Sequence, residues 1–171
     1  MNLPEKMNLK NKIEKVLHTP YNYRGGRLEF AIVFDYHVSE ELLSGQAKEL
    51  IKLLRTIRYS SSKDGTVVYE DIFRNARLNI IKWISDDRII KEISSMGMVR
   101  MGRCFEDYDE YKNEHMNDKS LDILSRQLKM FYARSKLIFL ITDGSYIIKS
   151  QEETDKNLQP FLGHKLIYVN V

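Results

Sequence analysis

With 171 residues and 20.2 kDa, the chain has the length of one domain, and its 43% hydrophobic and 30% charged residues are typical of a globular protein rather than a disordered or fibrous one. No apolar run is long enough to span a bilayer, and the net charge of +3 is too small to indicate nucleic-acid binding. Its single cysteine, Cys104, cannot form an internal disulfide, which suits a reducing compartment. We therefore expect a cytoplasmic protein without a membrane or nucleic-acid partner.

The N-terminal segment predicts an amphipathic helix followed by a linker. Apolar residues recur there at helical spacing, and Pro20 with the glycine pair after it ends the pattern. The sequence thus divides into a helix and linker at residues 1–27 and a main domain at residues 28–171. The apolar stripe of the helix consists of Leu9, Ile13, Val16 and Leu17.

The main domain begins with "LEFAIVFD", residues 28–35. Its continuous apolar character predicts a strand buried on both faces, as in a parallel sheet covered by helices. Residues 40–58 then place their apolar side chains on one helical stripe. Ser39 is the predicted N-cap, and two glutamates in the first turn favour the positive end of the helix dipole.

The middle of the chain predicts a hairpin and a short helix. "TVVYEDIF" (66–73) and "RLNIIKWIS" (77–85) are predicted strands with too few residues between them for a crossover helix. The second should therefore lie antiparallel to the first, at one edge of the sheet. "DDRIIKEISSM" (86–96) predicts a short helix capped by Ser85, and the acidic segment at 97–118 should be mostly loop.

Predicted helices and strands alternate again in the last third of the chain. This part of the sequence predicts a helix at about residues 119–135, a fully apolar strand "LIFLIT" (137–142), a short helical stretch at 150–162 and a final strand "KLIYVNV" (165–171). Strands that alternate with helices predict a Rossmann-like α/β domain. Its sheet should be doubly wound and mostly parallel, with one antiparallel edge strand and helices on both faces.

Two of the predicted buried strands end at an aspartate. Asp35 ends the first, and Asp143 directly follows "LIFLIT". Because ligands bind at the carboxyl ends of strands in such sheets, both carboxylates are candidates for one site. His37 and Ser39 follow Asp35 at two-residue steps, and oxygen ligands of this kind suit Mg²⁺ or Mn²⁺. The alternative is that each aspartate only caps a helix or binds loop amides.

These residues resemble the von Willebrand factor A family. That family has a doubly wound sheet with one antiparallel edge strand. Its metal-ion-dependent adhesion site is written Asp-x-Ser-x-Ser, completed by a threonine from a later loop and an aspartate after the fourth strand. In "DYHVS", Asp35 and Ser39 match while His37 replaces the first serine. "LIFLITDGSY" is similar to the fourth strand and its turn, so Asp143 matches, and the resemblance covers residues 28–171.

Two departures from the family pattern concern the metal. His37 is a poor ligand for Mg²⁺, and Cys104, the nearest counterpart of the family's threonine, supplies no hard oxygen. Some family members keep the fold but have lost the metal ion, so the resemblance is consistent with a weak or lost metal site in this chain. Zinc held by His37, Cys104 and the two aspartates is a further alternative.

The resemblance implies a non-enzymatic module that binds a protein partner at the rim around Asp35, Ser39, Cys104 and Asp143. Tyr108 and Tyr111, in the acidic segment, are candidates for partner contacts, with an ordinary solvated loop as the alternative. The final strand, at a sheet edge, should be covered by the N-terminal helix or by a second subunit, which would make a homo-oligomer.

A rival function comes from a different class. A magnesium-dependent phosphohydrolase or phosphotransferase of the haloacid-dehalogenase type would also use an aspartate such as Asp35 at the end of the first strand. That chemistry uses a second aspartate two residues later, where this chain has His37, and it needs a lysine near the phosphate and a further acidic pair. A structural subunit with a vestigial site is a third alternative.

Overall fold

The structure is a computed structural model. It describes residues 1–18, 27–115, 117–161 and 165–171, and within these ranges it describes the backbone alone for His18, 59–63 and 67–70. The predicted break around Pro20 lies outside the described residues.

Helices and strands alternate over most of the described chain. No helix in the described ranges is long and apolar enough to cross a membrane. The helices are α1 (Leu3–His18), α2 (Glu40–Leu54), α3 (Met96–Arg100), α4 (Leu121–Tyr132) and α5 (Gln151–Leu158). The strands are β1 (Glu29–Asp35), β2 (Arg58–Lys63), β3 (Thr66–Asp71), β4 (Arg77–Ser85), β5 (Arg88–Ser94), β6 (Leu137–Thr142) and β7 (Leu166–Asn170).

Five strands form the main sheet, in the order β5-β4-β1-β6-β7. β1 lies in the centre and pairs in parallel with β4 and β6, and β7 continues the parallel set. β5 runs antiparallel to β4 at one edge. The predicted α/β class is therefore confirmed, with a mostly parallel sheet, one antiparallel edge strand and helices on both faces.

The prediction for the middle of the chain was wrong about which segment forms the edge. "RLNIIKWIS" is β4, a parallel strand inside the sheet, and its residues 78–84 are buried. "TVVYEDIF" contains β3, which pairs instead with β2 in a separate two-stranded sheet. The turn between them is Asp64–Gly65, with φ of 53° and 78°. An Asp-Gly pair with positive φ at both residues is the turn that tight hairpins favour.

The predicted helix "DDRIIKEISSM" was also wrong, because this segment contains strand β5. Its apolar residues Ile89, Ile90 and Ile93 satisfy both helical and strand spacing, so periodicity alone could not decide. Antiparallel hydrogen bonding to β4 decides it. The acidic segment, predicted to be mostly loop, contains α3 and two 3-10 turns, at Arg103–Phe105 and Tyr108–Tyr111.

The sheet separates two hydrophobic clusters. Alternate residues of β1 supply each of them: Phe30, Ile32 and Phe34 face one side, while Ala31 and Val33 face the other. The first side is covered by α1, α2 and the 97–111 segment, and the second by α4 and α5.

The apolar stripe of α1 is buried in the first cluster, together with Ile167 and Val169 of β7. The prediction that the N-terminal helix covers one face of the final strand is thus confirmed, and the helix shares the core of the main domain. Tyr168, which points to the other side of β7, stays partly exposed.

Candidate functional site

The carboxyl ends of β1 and β6 lie side by side, as the sequence predicts. Phe34 is in register with Ile141, so Asp35 and the residues after Thr142 reach the same rim of the sheet. The two aspartates have different surroundings, however. Asp35 is fully buried, whereas about a third of the Asp143 side chain is exposed.

Protein groups occupy both oxygens of the Asp35 carboxylate. Its Oδ2 accepts a hydrogen bond of 2.6 Å from the Thr142 hydroxyl. Its Oδ1 accepts one of 3.0 Å from the backbone N–H of His37 and contacts the ammonium of Lys119. Asp35 is therefore neutralised inside the protein, by a lysine from the segment just before α4.

Lys119 is as buried as its partner, with 2% of its side chain exposed. Its Nζ donates a 2.6 Å hydrogen bond to the carbonyl of Trp83 and lies 4.7 Å from the centroid of the Trp83 ring. Burial lowers the pKa of Lys119, and the charge of Asp35 opposes that effect. The ammonium thus ties the ends of β1 and β4 to the start of α4.

This arrangement does not fit a divalent cation at Asp35. Mg²⁺ and Mn²⁺ bind through free carboxylate oxygens and water, and here the positive charge beside Oδ1 belongs to Lys119. Within the described ranges, no three His, Cys, Asp or Glu side chains lie close enough together to hold a metal ion.

Two other residues that were predicted as metal ligands have structural contacts. The Ser39 hydroxyl caps α2 by accepting a 3.4 Å hydrogen bond from the N–H of Leu42. Cys104 is buried in the cluster on the α2 side, and burial raises the pKa of its thiol to about 12. In the described part of the chain, its charged neighbours are Lys82, Glu92 and Asp107 rather than the two predicted aspartates.

The exposed part of the rim is a cluster of His37, Asp143 and Ser145. His37 Nδ1 lies 3.0 Å from Asp143 Oδ2 and 2.7 Å from the Ser145 hydroxyl, which itself donates to Asp143 Oδ1 at 2.5 Å. Burial raises the pKa of Asp143, but hydrogen bonds from Ser145 and His37 outweigh it, so the pKa lies below its usual value. A Ser-His-Asp catalytic triad uses both ring nitrogens of the histidine, whereas here Asp143 and Ser145 both contact Nδ1, so the cluster does not have the geometry of that triad.

Backbone hydrogen bonds fix the loop after this cluster. The N–H of Ile147 donates to Lys119 O, and the N–H of Leu121 donates to Ile147 O, each at 2.9 Å. The side chain of Asp86, directly after β4, accepts hydrogen bonds from the backbone N–H and hydroxyl of Ser120. The loop is thereby held against the start of α4, with Ile147 and Ile148 43% and 41% exposed.

The two candidate tyrosines have structural contacts. Tyr108 is buried, and its hydroxyl donates a 2.7 Å hydrogen bond to the carbonyl of Val38. Tyr111 is half-buried, with the guanidinium of Arg88 5.7 Å from its ring centroid. Both hold the acidic segment against the domain, and Tyr108 offers little surface to a partner.

Sequence reasoning missed three residues of this site: Lys119, Thr142 and Ser145. Ser145 had a local signal, because a serine two residues after a strand-end aspartate can bond back to it. Lys119 had none, since a lysine between Asp118 and Ser120 is typical of a solvated helix start.

No family model, curated protein or solved structure matches the chain.

His115, beside the site, should make stability depend on pH. It is buried against Tyr108, with 4.8 Å between ring centroids, and its Nδ1 has no hydrogen-bond partner among the described residues. Burial lowers its pKa, and the charges of Lys119 and His37 lower it further. As the pH falls below about 6.5, the unfolded chain therefore takes up a proton that the folded chain resists.

The expected result is that wild-type protein loses more stability than His115→Gln between about pH 7.5 and pH 5.5. Melting temperatures across this range measure the difference. Because the carboxylates titrate in both proteins, the variant controls for their effect on stability. Parallel pH profiles would contradict the assignment.

Proposed function

We propose that the protein is a protein-binding module of the von Willebrand A type that engages its partner at the carboxyl-end rim of the sheet without a resident metal ion. The contact surface is the polar cluster of His37, Asp143 and Ser145 together with the adjacent Ile147 and Ile148. The single buried thiol supports a cytoplasmic location.

The observation that carries this proposal is a fixed, exposed loop at the rim. Exposed isoleucines next to a charged cluster are what a binding surface offers, since apolar contact supplies affinity and polar groups supply orientation. Because the hydrogen bonds of Ile147 hold the backbone, the loop loses little conformational entropy on binding.

The sheet order supports the type of module. The mostly parallel sheet with one antiparallel edge strand agrees with the arrangement implied by the resemblance. In that family an ion supplies positive charge at the rim, and here Lys119 supplies it to Asp35. The full burial of Asp35 does not favour a phosphohydrolase, because a nucleophilic carboxylate must reach its substrate.

Comparison of two matched surface variants tests the proposal. Ile148→Asp places a charge on the rim, while Ile93→Asp does the same on the exposed face of β5, away from the rim. Tagged wild-type and variant chains would be used to capture proteins from an extract of the source organism, with EDTA or with Mg²⁺. Each captured protein would then be titrated in purified form.

We expect a partner that binds wild type and Ile93→Asp equally, loses at least about tenfold in affinity with Ile148→Asp, and is indifferent to EDTA. A partner that binds all three proteins alike would place the interface elsewhere. Binding abolished by EDTA would contradict the metal-independent mechanism.

A further inference from the structure

An arginine-rich groove lies at the opposite end of the sheet from the rim. Its volume is about 830 Å³, within the range of small-molecule sites, and its charged lining residues are Arg27, Arg55, Arg58, Arg74 and Asp71. Four arginines against one aspartate leave the groove strongly positive. The surplus is local, because the whole chain carries only +3.

The topology explains why these arginines meet. α2 runs back from the carboxyl end of β1, so its C-cap residue, Arg55, lies near the amino end of the sheet. Arg27 precedes β1 at that end. Arg74 follows β3, in the turn that leads into the amino end of β4, where the N–H of Arg77 donates to Leu28 O at 2.7 Å.

Structural roles account for only part of this charge. Arg58 donates to the carbonyl of Arg55 and lies 3.6 Å from Asp71 Oδ2, so it is already paired. Arg55 is placed favourably for the negative end of the α2 dipole. In the described part of the chain, the side chains of Arg27, Arg55 and Arg74 have no hydrogen-bond or ion-pair partner, and all three are exposed.

We infer that the groove binds a small anion that carries two or more linked phosphoryl groups. A guanidinium presents a planar fork that matches phosphoryl oxygens two at a time, and the charged groups among the described lining residues include no lysine. Three unpaired guanidiniums from three separate segments carry more positive charge than one phosphate dianion can balance, so a ligand with linked phosphoryl groups matches the groove better. Among the described lining residues, Phe73 is the only aromatic one, and it is buried in the core, so none of these residues offers an exposed ring to a base.

This inference is independent of the proposed function, because the groove and the rim lie at opposite ends of the sheet. The test is calorimetric titration of the full chain, in EDTA at low salt, with sodium tripolyphosphate as the probe. Arg27→Gln and Arg74→Gln remove one fork each and keep much of the side-chain length. Arg103→Gln, at another exposed arginine outside the groove, is the matched control.

We expect each groove variant to weaken tripolyphosphate binding by about tenfold or more, and Arg103→Gln to leave it unchanged. Arg74→Lys, which keeps the charge and loses the fork, should recover only part of the affinity. Equal losses in groove and control variants, or full recovery with lysine, would overturn the assignment in favour of diffuse surface charge.

Two further probes separate the sources of phosphoryl groups. ATP without metal should bind no tighter than tripolyphosphate, since none of the described lining residues offers an exposed ring to its base. A single-stranded oligonucleotide should compete poorly, because its phosphates are not linked directly to one another. Clearly tighter binding of either probe would show that a nucleotide or a nucleic acid is recognised, and would overturn the inference of a phosphoryl-only ligand.

Discussion

Replacing Lys119 with methionine is expected to lower the free energy of unfolding by about 3–5 kcal/mol. Methionine fills much of the same space, but Asp35 would then lie fully buried with no cation beside it. A buried pair that loses one partner leaves a desolvated charge, and that cost is larger than the net contribution of the intact pair. The ammonium also joins β1, β4 and the start of α4, so its loss affects several elements. Urea denaturation of both proteins measures the change.

Two controls separate the ion pair from the loss of a lysine. Lys149→Met removes an exposed lysine whose ammonium lies 3.2 Å from Asp86, and it should cost no more than about 1 kcal/mol. The double variant Asp35→Asn with Lys119→Met should lose less stability than the Lys119 variant alone, because the uncompensated charge is gone. A double variant as unstable as the sum of both single variants would show that the two residues do not act as a pair.

The same position provides a test of the metal. Lys119, the Thr142 hydroxyl and the N–H of His37 together occupy both oxygens of the Asp35 carboxylate. Calorimetric titration of wild type with Mg²⁺ or Mn²⁺ should therefore show no binding that Asp35→Ala abolishes. Tight binding by wild type that survives Asp35→Ala would place a metal site elsewhere in the chain.

The central strands could be predicted from the sequence because a strand that is buried on both faces has a continuous apolar run. "LEFAIVFD" and "LIFLIT" are continuous apolar runs, and a strand needs such a run only when helices cover both faces of its sheet. Their adjacency and the shared rim followed from the rules for parallel sheets.

The edge and the hairpin could not be predicted in the same way. β5 is half-exposed, so its sequence shows only a weak alternation of apolar and polar residues. The spacing of its isoleucines fits a helix equally well. The serines of β2 are typical of a loop, although the Asp64–Gly65 pair after them was a usable hairpin signal. β4 was assigned to the wrong neighbour because sequence distance favoured pairing with β3.

The site was predictable only where its residues follow a strand. Asp35, His37 and Asp143 do lie at one rim, since strand ends fix their positions. The central fact of the site, that Asp35 pairs with Lys119, depends on a contact between residues 84 positions apart and on full burial of both side chains. No local pattern records either property.

Ile13→Ala in α1 is expected to lower the free energy of unfolding by about 2–5 kcal/mol. Ile13 is fully buried in the cluster that also contains Ile167 and Val169, so truncation leaves a cavity where the N-terminal helix meets the main sheet. Met7, on the same helix, is 58% exposed, and Met7→Ala should change stability by no more than about 0.5 kcal/mol. Denaturation of both variants distinguishes a docked helix from one that only adds solubility.

Deletion of residues 1–20 extends the test to the covered strand. Without α1, the side chains of Ile167 and Val169 lose their cover, and β7 is the edge strand of the five-stranded sheet. Such an edge pairs readily with another chain, so the shortened protein should unfold at lower temperature and associate, as light scattering would detect. A shortened protein that remains monomeric with an unchanged melting temperature, or equal effects of Ile13→Ala and Met7→Ala, would show that α1 contributes nothing to the core.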